Sequence, residues 1–369
     1  MNAANQMRLK FLFHCFGNLF VTGTNAKGIL RVITLNDSVI KRIKVGIVGK
    51  IIIESDENDN HSTIEKVFYE SDIHEFHSPD LINSEYDEQL LEFSVPLDSN
   101  LPPSVMLKQG GIIYYLYASM EETFQDEIPQ NINTEANISV VNIVDCNTIP
   151  KAARDKSIAN APVKMCMCLT SDENSSSLQV SPRSCVPGDC LKINAVVFNS
   201  RPYPLCFVQA ALVQKIKLKF ENYSVKTNRV VSETKRGCVM QQRDQTWHQE
   251  LLRVPPLPPT TYHKYLDVTY KLQLRVPERQ NFNDTSVLLT VPVVIGSIPL
   301  EESLVHLSPL PGCESFGNNM LPIPKPYQEF ARADRCIQAD EGLKYVPSYI
   351  TYLSDRAMDN VDLETSTPV

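Results

Sequence analysis

The stretch LLRVPPLPPTTYHKYLDVTYKLQLRVPERQNFNDTSVLLTVPVVIGSIPL, Leu251 to Leu300, decides the fold. From Leu266 to Val276 it alternates without a break. Leu266, Val268, Tyr270, Leu272, Leu274 and Val276 share one face, and Asp267, Thr269, Lys271, Gln273 and Arg275 share the other. That pattern predicts a long, half-buried β-strand. The cluster Pro255, Pro256, Pro258 and Pro259 stops any regular element before it, because each proline lacks a donor and restricts its neighbour. Val287 to Ile295 forms a second apolar run, closed by Gly296 and Pro299.

Outward from this stretch the same grammar recurs. Val163 to Leu169 reads as a strand, followed by a serine-rich loop at Ser171 to Ser177. Pro187-Gly188 makes a turn feeding the strand Cys190 to Phe198. Ala210, Leu212, Ile216, Leu218 and Phe220 form an inward face with Lys215, Lys217 and Lys219 outward, and Thr246 to Val254 carries the only tryptophan, Trp247. In the first half, Ile29 to Leu35 precedes a strand whose Ile43, Val45, Ile47, Gly49, Ile51 and Ile53 share a face. Ser55 to Glu88 is charged and aperiodic, apart from a strand candidate at Thr63 to Tyr69. Leu91, Phe93, Val95 and Leu97 then alternate up to the turn Leu101-Pro102-Pro103-Ser104. Gly110-Gly111 opens an aromatic strand, Glu121 to Asn137 reads as an exposed loop, and Ile138 to Val144 closes the half. The apolar period lapses at Asp145 to Pro162.

No segment sustains a helical period, so short strands with proline-rich turns predict an all-β chain of two antiparallel β-sandwiches in series. The expected divisions are residues 1–160, 161–300 and a mostly disordered tail, 301–369, whose apolar surface is too sparse to offset its chain entropy.

Composition narrows the function. The chain has 369 residues and a hydrophobic share of 43%, enough for packed cores. Its 13 glycines argue against a nucleotide-binding α/β enzyme built on glycine-rich loops. A net charge of -8 with scattered Lys and Arg argues against nucleic acid as a partner. We expect no signal peptide and no membrane span, and hence ten reduced cysteines.

At this point the residues carry a family. VPGDCLKINAVVFNS (Val186 to Ser200), ALVQKIKL, RVPPLPPT, LDVTYKLQLRV and PVVIGSIPL resemble, in order and spacing, the C-terminal domain of arrestins, in the arrestin-domain-containing (α-arrestin) branch. GNLFVTG, LEFSVPLDSNLPPSV, GGIIYYLYA and VVNIVDCNTIP resemble the family's N-terminal domain, with an irregular turn at Val21-Thr22-Gly23. The resemblance implies two arrestin-like sandwiches with neither catalytic centre nor cofactor. It implies a cytoplasmic adaptor, peripheral to endosome or plasma membrane, that links a receptor or transporter to endocytic and ubiquitylation machinery. The alternative it leaves open is a scaffold subunit of a constitutive coat or sorting complex of the retromer type.

Candidate partner sites follow. Val346, Pro347, Ser348 and Tyr349 form a degenerate version of the PPxY ligand through which such proteins engage WW-domain ubiquitin ligases. Thr367, Pro368 and Val369 fit a C-terminal PDZ ligand. Arg8 and Lys10, assisted by Arg42 and Lys44, are candidate contacts for cargo or phosphate. The region of LPPTTYHKYL lacks the long acidic loop of phosphate-sensing arrestins. Cys166-Met167-Cys168 would need two further ligands to hold zinc, and Cys185 and Cys190 flank a turn where reduced thiols are expected.

Overall fold

The structure is a computed structural model and describes residues 9–12, 18–33, 38–57, 60–77, 88–124, 129–151, 157–166, 169–277, 285–303, 307–308 and 347–354. Strands make up nearly all of it, with one 3₁₀ turn at Glu301–Ser303 among the described residues. Two compact units result: Met1–Asn142 with Leu218–Val225 and Ala339–Tyr349, and Ile143–Lys217 with Lys226–Gln338 and Ile350–Val369. The break near Asn142 comes earlier than the 160/161 boundary expected from the lapse in apolar period. The reason is polar rather than apolar. The Val144 N–H donates to Ser297 Oγ (2.7 Å), the Cys146 N–H to the Ile298 carbonyl (3.1 Å) and Asn147 Nδ2 to the Pro299 carbonyl (2.9 Å). Residues 144–147 are thereby fixed to the second unit.

In the first unit the strands are β1 (Leu9–Leu12), β2 (Leu19–Val21), β3 (Asn25–Ile33), β4 (Ser38–Glu57), β5 (Asn60–Glu70), β6 (His74–His77), β7 (Glu88–Pro96), β8 (Val105–Leu107), β9 (Gly110–Phe124) and β10 (Gln130–Val141). One sheet has the order β1-β3-β7. The other runs β2-β10-β9-β4-β5, with β6 added on β4 and β8 on β9. The apolar alternation of β4 and β9 puts Ile43, Val45, Ile47, Ile112, Tyr114, Leu116, Ala118 and Met120 at 0% exposure. Leu9, Leu30, Val32 and Val95 from the smaller sheet are equally buried, and Phe11 meets Phe93 edge-on with ring centroids 5.6 Å apart.

Within Ser55 to Glu88 the strand candidate at Thr63 to Tyr69 lies in β5, and strand structure extends further than expected, because β4 continues to Glu57 and both β5 and β6 pair with it; residues 78–87 lie outside the described residues. Residues 63–70 of β5 are exposed or half-buried on both faces, so backbone pairing to β4, not an apolar stripe, holds the strand. The expected loop at Glu121 to Asn137 is also mostly strand, since β9 runs to Phe124 and β10 begins at Gln130. Both ends are polar, which hid them from an apolar-period reading.

The strands of the second unit, apart from the parts of β15 and β16 within Leu218–Val225, are β11 (Ser157–Cys166), β12 (Leu169–Ser181), β13 (Ser184–Cys185), β14 (Cys190–Phe198), β15 (Val208–Phe220), β16 (Tyr223–Arg236), β17 (Asp244–Arg253), β18 (Thr261–Tyr262), β19 (Leu266–Pro277) and β20 (Thr285–Ile295). The sheets run β11-β12-β14-β17 and β13-β20-β19-β15-β16, with β18 on β19. β19 buries Leu266, Val268, Tyr270, Leu272, Leu274 and Val276, the face expected from the alternation. The serine-rich segment Ser171 to Ser177, expected as a loop, lies within β12.

The two units follow one plan. A short leading strand pairs parallel with the last long strand of its unit, β2 with β10 and β13 with β20. A glycine in the left-handed region then turns the chain into the next strand, Gly23 at φ 76 and Gly188 at φ 94. The N–H of Gly23 donates to the Leu97 carbonyl (3.0 Å) and that of Gly188 to the Val254 carbonyl (2.8 Å), each just past an edge strand.

Beyond Leu300, residues 307–308 pair with 353–354 as β21 (Leu307–Ser308) and β22 (Leu353–Ser354). Pro347, Tyr349, Ile350, Thr351 and Tyr352 are buried, so this part of the expected patternless tail is packed. Two tyrosines and an isoleucine supply the apolar area, and no period announces them.

Leu272 is fully buried on β19. Leu272→Asp is expected to cost more than about 3 kcal/mol, as an unpaired buried carboxylate does, and Leu272→Ala about 2–5 kcal/mol. Thermal unfolding followed by circular dichroism reads both. An aspartate variant as stable as wild type would contradict the inward face of β19.

Candidate interaction surface

The surface is built around the proline turn of the first unit. Leu101-Pro102-Pro103-Ser104 has two prolines without donors, so its buried carbonyls need partners from outside the turn. Tyr114, fully buried on β9, donates its hydroxyl to the Pro102 carbonyl at 2.7 Å, and burial holds that hydroxyl well above the usual tyrosine range. Ser104 clips the turn to β10. Its N–H donates to the Val140 carbonyl (2.7 Å) and its Oγ accepts the Val140 N–H (2.9 Å). One place earlier on β10, the Ser139 N–H donates to the Asn18 carbonyl (2.7 Å). Both serines are fully buried.

Those two serines hold part of the C-terminal region. The Ser348 N–H donates to Ser139 Oγ at 2.9 Å, and the Tyr349 hydroxyl donates to the Ser104 carbonyl at 3.1 Å. Pro347 and Tyr349, two residues of the WW-ligand candidate, are thus buried with Ser348 half-buried, while Val346 lies outside the described residues. Sequence reading missed Ser104 and Ser139 because single serines beside a turn and inside a strand carry no chemical signature. The one available signal was the Leu-Pro-Pro-Ser turn itself.

The second unit repeats the device. Tyr270 donates its hydroxyl to the Pro258 carbonyl (2.6 Å) and accepts from Nε2 of buried Gln214 (2.8 Å), whose Oε1 receives Arg229 Nε (2.6 Å). Thr260 donates its N–H to the Ile295 carbonyl (2.7 Å), and its Oγ1 accepts the Ile295 N–H (2.9 Å). In this unit Tyr352 donates its N–H to the Pro187 carbonyl (2.9 Å) and its hydroxyl to the Ser297 carbonyl (2.9 Å).

The basic candidates are not brought together. Lys10 is exposed on β1 opposite Arg31, which forms an ion pair with Glu88 at 2.7 Å. Arg42 and Lys44 lie on β4 in the other sheet, engaged by Glu121 at 2.8 Å and by Glu75 at 3.2 Å. Arg8 and the PDZ-type residues Thr367, Pro368 and Val369 lie outside the described residues, as do the side chains of Cys166 and Cys168. Among the described residues, Cys146, Cys185 and Cys190 are buried free thiols and Cys206 and Cys238 are exposed ones. No group of three His, Cys, Asp or Glu among the described residues is arranged to hold a metal ion.

The comparison with protein families decides the class. Residues 171–300 match the family model of the arrestin (or S-antigen) C-terminal domain. Over those residues the chain is similar to an arrestin C-terminal domain. The match covers β12 to β20 and ends at Leu300, so the arrestin domain includes the Pro187-Gly188 turn, the Leu257-Pro258-Pro259-Thr260 clip and β19. No match was found among curated proteins.

Three outcomes follow for the two units. Tyr270→Phe removes a donor to Pro258 and also the acceptor of buried Gln214, whereas Tyr114→Phe removes the donor to Pro102. We expect losses of roughly 2–4 kcal/mol and roughly 1–2 kcal/mol, in that order, by urea unfolding. Burial, reinforced by Asp145, pushes the Cys146 thiol up to about 12 from 9.0. Between those values the unfolded thiol has lost a proton that the folded one keeps, so stability falls as pH rises above 9.0, by up to about 1.4 kcal/mol per pH unit. Cys146→Ala is expected to lessen that slope in pH-dependent unfolding. Brief alkylation of the native chain read by mass spectrometry should modify Cys206 and Cys238 and spare Cys146, Cys185 and Cys190.

Proposed function

We propose that this arrestin-domain chain is a non-enzymatic adaptor that holds the cytoplasmic tail of a receptor or transporter and couples it to endocytic trafficking and ubiquitylation machinery. The observation that carries this reading is the arrestin C-terminal domain at residues 171–300. Such a fold offers extended strand edges and loop clusters for peptides rather than an enclosed reaction site. The adaptor works in the cytoplasm, at endosome or plasma membrane, as a peripheral protein. No helix among the described residues is long and apolar enough to cross a membrane.

Within this reading, Lys10 on β1 and Arg8, which lies outside the described residues, remain the candidate cargo or phosphate contacts, with Arg42 and Lys44 contributing once their carboxylate partners are displaced. Thr367, Pro368 and Val369 are the candidate PDZ ligand. Val346 to Tyr349 is the candidate ligase dock, and its tyrosine must leave Ser104 before a WW groove can take it.

Proximity labelling with the full chain in intact cells tests the adaptor role, paired with gel filtration of the lysate. Labelled membrane receptors or transporters, with the chain eluting near its own size, are expected. Elution in one stoichiometric assembly would instead support the coat-scaffold role. A WW domain titrated by NMR with the peptide Gly342 to Ser354 tests the ligase dock separately, and absence of any shift would remove it.

A further inference from the structure

The two buried serines of the first unit make a recognition site with unusual features for a chain terminus. The Ser104 N–H and Oγ are taken by Val140, and the Ser139 N–H by Asn18. What each presents to the tail is one acceptor, the Ser104 carbonyl and the Ser139 hydroxyl oxygen. The acceptors are held by a proline turn and by β10, both of which are rigid, so their spacing is fixed before anything binds. The ligand that satisfies them needs an extended backbone N–H followed at the next residue by a hydroxyl at the reach of a tyrosine. Ser348 and Tyr349 meet this requirement, with Pro347 and Tyr349 buried.

We propose that the surface formed by Ser104 and Ser139 is a binding site for tyrosine-bearing extended peptides, filled in this structure by the chain's own residues 347–349, and that a partner peptide of the same chemistry binds there once that segment is displaced. Three properties follow from the contacts. The site prefers tyrosine to phenylalanine, because the Ser104 carbonyl otherwise loses its donor. It rejects phosphotyrosine, since a phosphate replaces the donated O–H with roughly -1.5 to -2 charges facing a carbonyl oxygen. A phosphate on Tyr349 therefore vacates the site in favour of an unphosphorylated partner. The proposal stands on the contacts in the first unit and does not require the adaptor reading. A binding result here and a labelling result there can succeed or fail separately.

The test uses the full chain and a fluorescent peptide spanning Leu343 to Ile350. Wild-type chain, whose site is filled, is compared with the Tyr349→Ala chain by fluorescence anisotropy. The variant chain is expected to bind the peptide at least ten-fold more tightly than wild type. Adding Ser139→Ala is expected to weaken this by roughly five-fold, the size of one neutral hydrogen bond. A peptide with phenylalanine in place of Tyr349 should bind roughly five-fold more weakly, and the phosphotyrosine peptide should not bind. Should Tyr349→Ala disturb folding, Tyr349→Phe serves. Hydrogen exchange of residues 347–352 is then expected to quicken while β9 and β10 stay protected. Equal binding by wild-type and variant chains, indifference to the tyrosine hydroxyl, or unchanged exchange in the phenylalanine chain would each overturn the proposal.

Discussion

The hydrogen bond from a buried tyrosine to the carbonyl of a proline turn is the constraint on which both units depend. A turn of consecutive prolines brings backbone acceptors into the protein without bringing the matching donors, and an orphaned buried carbonyl is costly. In each unit the remedy comes from the second strand downstream, β9 or β19. Tyr114 reaches Pro102 and Tyr270 reaches Pro258, each across 12 residues of sequence. The same tyrosine sits opposite the closing strand, Tyr114 facing Ile138 and Tyr270 facing Val293. The third arm is the serine or threonine after the prolines, which exchanges two hydrogen bonds with Val140 or Ile295. Turn, central strand and closing strand are locked at one point. The equivalent positions keep their offsets, so the chain reads as one device used twice.

Around that point the rest of the plan follows. With the closing strand fixed, its free edge takes the short parallel strand, β2 or β13. A left-handed glycine then returns the chain across to the smaller sheet. Ordinary residues at Gly23 or Gly188 would meet backbone strain whatever space surrounds them. The arrestin C-terminal domain match spans only the second copy of this plan. The first copy is tied to it by shared topology and by the equivalence of Leu101-Pro102-Pro103-Ser104 with Leu257-Pro258-Pro259-Thr260.

What could be read beforehand follows from which force fixes each element. β14 and β19 bury one clean face, so alternation alone located them almost to the residue. β5 and the start of β10 have little such contrast. Residues 63–70 are exposed or half-buried on both sides, and Gln130–Val141 opens with polar residues. Pairing to a neighbour already in place determines them, and pairing leaves no periodic trace. Candidate sites were less legible for a related reason. Tyr349 was visible as part of a short motif, but the acceptors that hold it are a carbonyl and a single hydroxyl, and a carbonyl belongs to every residue. The basic set failed to converge because β1 and β4 belong to different sheets, and Glu121 and Glu75 already sit against two of its members.

A chain that builds the same sandwich twice carries two closing strands that could compete for either slot while it folds. Their sequences keep them apart. By the shared offsets, β20 in the first slot would put Leu289 and Val291 where the half-buried Thr134 and Ala136 stand, adding apolar bulk to a face shaped for smaller side chains. In the reverse exchange, β10 would supply Thr134 and Ala136 where Leu289 and Val291 fill the core. Each strand is therefore a poor substitute for its counterpart. The polar character that made β10 hard to recognise is also what makes it harmless to the second domain during synthesis.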